Sequence, residues 1–143
     1  MIPGTILFDD NFRFRDGQKG EKLFVVLSDG SDGLYSTAKT TSRGKLYLWQ
    51  YGCQIGHRYP AFYLPLHATC LRKDTWVQLE AFYDFESAAL VQKVISGLIK
   101  RIGVLDSSLA VDLIECARRS QDITPPQESR LQDAVVYLQG TET

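Results

Sequence analysis

The stretch that decides the fold is Lys22-Leu23-Phe24-Val25-Val26-Leu27-Ser28, Asp29-Gly30-Ser31-Asp32-Gly33, Leu34-Tyr35-Ser36-Thr37-Ala38-Lys39-Thr40-Thr41-Ser42. Two runs rich in β-branched and aromatic residues flank five consecutive turn formers, which is the pattern of paired antiparallel strands. Working outward, Gly4 to Phe8 reads as an earlier strand, separated from Lys22 by a polar loop from Asn11 to Glu21. After the Arg43-Gly44 turn, Lys45 to Tyr51, Ala61 to Leu66 and Thr75 to Phe82 bring the count to about six short strands. Short strands at this spacing predict a small antiparallel barrel over about residues 3 to 84, in a mainly β (α+β) fold.

The period then changes. Leu90, Val91, Val94, Ile95, Leu98, Ile99 and Ile102 fall on one face of a helix read over residues 86 to 102, with Gly103 as its left-handed stop. Asp106 caps a second helix over 107 to 120. Thr124, Pro125 and Gln127 give a cap, a first-turn proline and a capping-box partner for a third over 126 to 139. At 143 residues and 44% hydrophobic composition, one domain with its own core is expected. No segment reaches the run of about 20 apolar residues that spans a membrane, and no export signal opens the chain, so a cytoplasmic location is expected. An odd count of three cysteines, Cys53, Cys70 and Cys116, predicts reduced thiols and no structural disulfide.

The net charge of -1 hides an uneven distribution. Residues 33 to 73 contain no carboxylate and hold Lys39, Arg43, Lys45, Arg58, Arg72 and Lys73, a composition suited to a polyanion. The Arg13, Arg15 and Lys19 loop interleaves cations with Phe12 and Phe14, a pairing that suits single-stranded nucleic acid, although a strand end with Phe inward and Arg outward is the plainer explanation. Lys39, Arg43 and Arg58 are expected to share a face with that loop. Tyr47, Trp49 and Tyr51 alternate and are read as core rather than as a stacking platform. Cys53-x3-His57 and His67-x2-Cys70 form a competing Cys2His2 set for zinc, with non-standard spacing. There is no G-x-S-x-G elbow, phosphate-binding glycine loop or H-E-x-x-H.

Four stretches, taken in order over about residues 3 to 102, resemble the PemK/MazF/Kid family of ribonuclease toxins. They are Pro3-Gly4-Thr5-Ile6-Leu7-Phe8, Lys22 to Ser28, Thr40-Thr41-Ser42, and Leu71-Arg72-Lys73-Asp74-Thr75-Trp76-Val77-Gln78-Leu79. The resemblance implies an SH3-like barrel, usually a homodimer, that cuts single-stranded RNA without a metal or other cofactor and is held inactive by an antitoxin protein. By position it assigns catalysis to Lys22, Thr41 and Ser42 and RNA contacts to the loop of Arg13, Arg15 and Lys19, while the carboxylate-free window adds Lys39, Arg43 and Arg58 to the RNA-binding set. It also exposes a departure, because the family's Arg-Pro at the head of strand two is Lys22-Leu23 here. Lysine stays cationic but is a point charge, without the planar fork that grips two phosphate oxygens. The general base is open among Asp16, His57 and a substrate phosphate oxygen. Two rival readings are a non-catalytic SH3-like module that binds RNA or protein, and a zinc-stabilised interaction domain.

Overall fold

A computed structural model describes residues 1 to 140. β1 (Thr5–Arg13), β2 (Lys19–Val26) and β3 (Leu34–Thr41) form an antiparallel meander. The turn before β3 forms where the sequence placed it: Asp29 and Asp32 carboxylates accept from the backbone N–H of Ser31 and Leu34 at 3.0 and 3.2 Å. The remaining strands are β4 (Gly52–Cys53), β5 (Ala61–Leu64), β6 (Thr75–Gln78), β7 (Tyr83–Glu86) and β8 (Ile99–Val104). The order is β4-β5-β6-β3-β2-β1-β8, with β7 also on β3, and every pairing is antiparallel. The chain is thus a small α+β fold, a barrel-like antiparallel sheet with three helices, α1 (Ser87–Ile95), α2 (Ser107–Arg118) and α3 (Pro125–Gly140). Among the described residues no helix is long and apolar enough to cross a membrane.

Ile6 to Phe8 of β1 and Leu23 to Val26 of β2 are continuous apolar runs because both faces of the sheet are covered there. Ile6 and Val25 point into one core with Leu109, Leu113 and Ile114 of α2 and Leu131 and Leu138 of α3. Their neighbours Leu7, Phe24 and Val26 enter a second core with Phe12, Tyr35, Leu90 and Ile99. Phe12 is therefore core, packed at 5.3 Å from Phe24 and 5.4 Å from Phe14 between ring centroids. Helix α2 is capped by Asp106, whose carboxylate accepts from Ser108 N–H at 2.9 Å. Helix α3 is clamped to the sheet by Arg130, which donates to Asp32 at 2.6 Å and to Asp84 and the Ser36 hydroxyl at 3.3 Å.

Two expectations are corrected. The helix read over residues 86 to 102 stops at Ile95, and Gly97 at φ +84° supplies the left-handed turn expected of Gly103. Beyond it Ile99 to Val104 runs antiparallel to β1, with Ile99 opposite Asp9 and Val104 opposite Thr5. The β-branched residues Ile99, Ile102 and Val104 suit either period, and the unfilled hydrogen-bonding edge of β1 decides for strand. The expected absence of a disulfide also fails, because Cys53 of β4 and Cys116 of α2 are bonded, with Cα atoms 5.6 Å apart. Their separation of 63 residues closes a large loop, an entropic stabilisation of about 4 kcal/mol against the unfolded chain.

A third core is aromatic: Tyr47, Tyr63 and Trp76 with Tyr59 at its edge. It forms over a 3₁₀ turn at Gly44–Leu46, where a Cβ on buried Gly44 would overlap the Trp76 ring and stand 2.9 Å from Trp49 Cζ2. Gly44→Ala is expected to lower stability by about 1 to 3 kcal/mol through overpacking. Gly56→Ala, where a Cβ meets nothing within 4 Å, should stay within about 0.5 kcal/mol of the parent. Urea unfolding of both variants checks this, and equal midpoints would show that Gly44 is not a packing constraint.

Candidate nucleic-acid interface

The β2–β3 ladder runs from Val26 opposite Thr37 to Phe24 opposite Lys39 and then stops. Beyond it only the opposite edge of β3 stays paired, with Thr40 opposite Val77 and Thr41 opposite Trp76 of β6. The Leu23 carbonyl, left without a ladder donor, accepts instead from the Thr40 hydroxyl at 3.0 Å. The parted strands leave a cleft of about 650 Å³. Glu21 and Lys22 stand on the β2 wall, Thr41, Ser42 and Arg43 on the β3 wall, and Arg72 and Lys73 on the loop leading to β6. Four cations thus line the cleft with a single carboxylate, that of Glu21.

Each wall is fixed by local hydrogen bonds. Thr41 Oγ1 accepts from Arg43 N–H at 3.1 Å, which sets the turn and leaves the hydroxyl proton for a ligand. Asp74 anchors the opposite loop, accepting from Leu66 N–H and from the Tyr63 hydroxyl, both at 2.9 Å. Thr75 donates to the Lys73 carbonyl at 3.0 Å. Lys22 is half-buried, and burial lowers its pKa below the ordinary lysine range, with the charges of Lys39 and Arg43 lowering it further. Lys39 is lowered first by burial, with Glu80 opposing and Arg15 adding to the shift.

Of the residues expected to act on RNA, the cleft gathers Lys22, Thr41, Ser42 and Arg43. Lys39 stands behind it, donating to Gln78 Oε1 at 2.8 Å. Arg15 donates to the Phe82 carbonyl at 3.1 Å and lies over the Tyr83 ring. Arg13 and Lys19 face each other across the β1–β2 hairpin, and Arg58 lies over Tyr59 at 5.5 Å, none of the three in the cleft wall. Neither proposed base lines it: Asp16 accepts from Gln18 N–H in the hairpin turn, and His57 lines a separate cavity of about 380 Å³. Glu21 carried no motif that singles it out in the sequence, and Arg72 and Lys73 were noted only as part of the carboxylate-free window, whereas the loop before β6 brings both to the cleft.

The zinc set is overturned, since Cys53 Sγ is bonded to Cys116 and no thiolate remains there to ligate. Among the described residues no three His, Cys, Asp or Glu side chains are placed to hold a metal ion. The single-face reading of Tyr47, Trp49 and Tyr51 fails as well. The strand expected over Lys45 to Tyr51 is absent, residues 44 to 46 forming the 3₁₀ turn and residues 47 to 51 irregular backbone, so Tyr47 is buried while Trp49 and Tyr51 are 65% and 52% exposed.

No protein-family model matches the chain, and no curated protein matches it. The chemistry of the cleft is therefore argued from its own residues. Because Lys22 is shifted downward, its ammonium should lose its proton at lower pH than in an unfolded peptide of the same sequence. In the window between the two values the unfolded chain binds more protons, so this residue's contribution to stability grows as pH rises. Lys39→Met should move the Lys22 midpoint upward by removing a neighbouring charge. Side-chain NMR titration of Lys22 measures both, and a midpoint equal to the peptide's would contradict the cleft electrostatics.

Proposed function

We propose that this cleft binds the phosphodiester backbone of single-stranded RNA and cleaves it, in the manner of a toxin-like endoribonuclease. The carrying observation is the convergence of Lys22, Thr41, Ser42 and Arg43 with Glu21 in one cleft. Its volume lies in the range of small-ligand sites, enough for a nucleotide and its flanking phosphates.

The residues fit a cyclising transesterification. Glu21 carboxylate takes the proton of the 2′-hydroxyl, the 2′-oxygen attacks phosphorus, and the 5′-oxygen leaves with a proton from the Lys22 ammonium, giving a 2′,3′-cyclic phosphate. Arg43 and the Thr41 and Ser42 hydroxyls stabilise charge on the non-bridging oxygens, while Arg72 and Lys73 hold the adjoining backbone. The downward shift of Lys22 supports its role as acid, since a less basic ammonium donates more readily at neutral pH. The step draws base, acid and charge stabilisation from side chains and needs no metal.

In this reading the active unit is a homodimer and an antitoxin protein covers the cleft. β8, next to β1 at one end of the sheet, exposes Ile102 and Val104 beside exposed Ile95 and Leu98, a strip that supports such a contact. RNA as substrate puts the activity in the cytoplasm. There the Cys53–Cys116 bond meets a reducing medium, so location no longer follows from cysteine count. The second reading, a non-catalytic module, draws on Lys22 standing where a bidentate arginine would hold a phosphate.

Single-turnover cleavage of a mixed-sequence RNA, with chelator present, tests the proposal. Lys22→Ala should slow cleavage about 10- to 1,000-fold and Glu21→Gln about 100-fold or more, with smaller changes in affinity for a 2′-O-methyl analogue that cannot react. Lys22→Arg should bind at least as well as the parent. Wild-type binding without cleavage would establish the non-catalytic module, and cleavage indifferent to both Lys22→Ala and Glu21→Gln would remove these residues from the chemistry.

A further inference from the structure

Trp49 is 65% exposed, although burying its ring would be the ordinary use of so large an apolar surface. Its exposure is not looseness. The backbone on both sides is held by Gln54, itself 6% exposed, which accepts from Leu48 N–H at 3.1 Å and donates to the carbonyls of Leu48 at 2.7 Å and Gln50 at 3.2 Å. Trp76 Nε1 donates to the same Leu48 carbonyl at 2.9 Å. The Trp49 ring meets Trp76 at 82° with centroids 4.8 Å apart, and Tyr63 at 65° and 5.9 Å. Tyr63 and Tyr47 stack on Trp76 in turn. A buried polar clamp and a three-ring buttress therefore hold one indole in place while most of its surface faces solvent.

The position of that ring gives it a use. Gly44 packs against both Trp49 and Trp76, and the next residue back, Arg43, is in the cleft wall. Thr75, adjoining Trp76, is in the wall as well. The indole is thus linked to the cationic cleft through Gly44, one residue from Arg43 of its wall, within the segment that carries no carboxylate. We propose that Trp49 is a stacking platform for a nucleobase of the single strand whose phosphates lie in the cleft, an inference that rests on the cleft's being an RNA site.

An aromatic face beside a cationic groove is the combination that single strands require, since bases stack on rings while cations follow the phosphates. A ring already fixed by Trp76 and the Gln54 clamp loses little side-chain freedom on binding, so more of the stacking energy appears as affinity. Stacking recognises the π-face common to all bases, so this contact adds affinity with little choice among them. The exposed Leu46, Leu48 and Tyr51 nearby would also suit a protein contact, but the cations at the cleft rim favour a polyanion.

The test compares a 2′-O-methyl hexauridylate with an abasic oligomer of the same backbone length. Wild-type protein should bind the base-bearing oligomer more tightly, and exposed tryptophan emission should be quenched by it but not by the abasic one. Trp49→Ala should weaken binding of the hexauridylate about 5- to 100-fold, leave the abasic oligomer unchanged, and be largely rescued by Trp49→Phe. Unchanged hexauridylate affinity in Trp49→Ala would overturn the platform while leaving the cleft intact. The same result accompanied by a change in sedimentation would overturn it in favour of a protein contact. If wild-type protein binds neither oligomer, the cleft reading falls and takes the platform with it.

Discussion

Strand β3 cannot pair with β2 along its whole length. After Lys39 its β2 edge has no ladder while β6 holds the opposite edge, and beside Leu23 the ladder is replaced by a single Thr40 hydroxyl. Everything proposed for the molecule depends on that early end of the β2–β3 ladder. It separates Lys22 from Thr41 across an open cleft, just before the turn at Gly44. A continuous β2–β3 ladder would have placed side chains of the two strands as cross-strand neighbours, with no room between them for a ligand.

The same opening sets the electrostatics. Lys22 and Lys39 are half-buried, and Lys22 is held below the ordinary lysine range first by that burial and then by the charges of Lys39 and Arg43. Such an arrangement works against stability wherever Lys22 is charged. The compensating stability lies elsewhere: two cores on opposite faces of β1 and β2, the Arg130 clamp, and the disulfide from β4 to α2. A scaffold rigid on both faces can hold an unfavourable cluster of like charges at one edge.

Much of the sheet was legible because its signals are local. The Asp29 to Gly33 turn, the apolar runs on either side and the caps at Asp106 and Thr124 depend on residues within a few positions of one another. What was misread depended on partners distant in sequence. Ile99 to Val104 has an apolar content that fits helix or strand, and the free edge of β1, some ninety residues earlier, settles the matter. Cys116 was expected to be a reduced thiol, and only the packing of α2 against β4 brings it to Cys53. In the cleft, the turn of β3 makes Lys22, Thr41 and Arg43 neighbours as their chemistry suggested, whereas Arg58 and the β1–β2 hairpin cations do not join the wall. Trp49 was taken for core because strand alternation was assumed over residues 47 to 51, which are irregular backbone after the 3₁₀ turn.

The central claim is that a single strand's phosphates occupy the gap left between β2 and β3. Backbone amide NMR of the full chain, titrated with a short 2′-O-methyl RNA oligomer, tests it most directly. The account predicts that the largest shifts fall on Glu21 to Leu23, Thr40 to Arg43 and Leu71 to Lys73, and that they weaken steeply as salt is raised. Shifts confined to the β1–β2 hairpin or to the β8 edge, with those three segments unmoved, would contradict it.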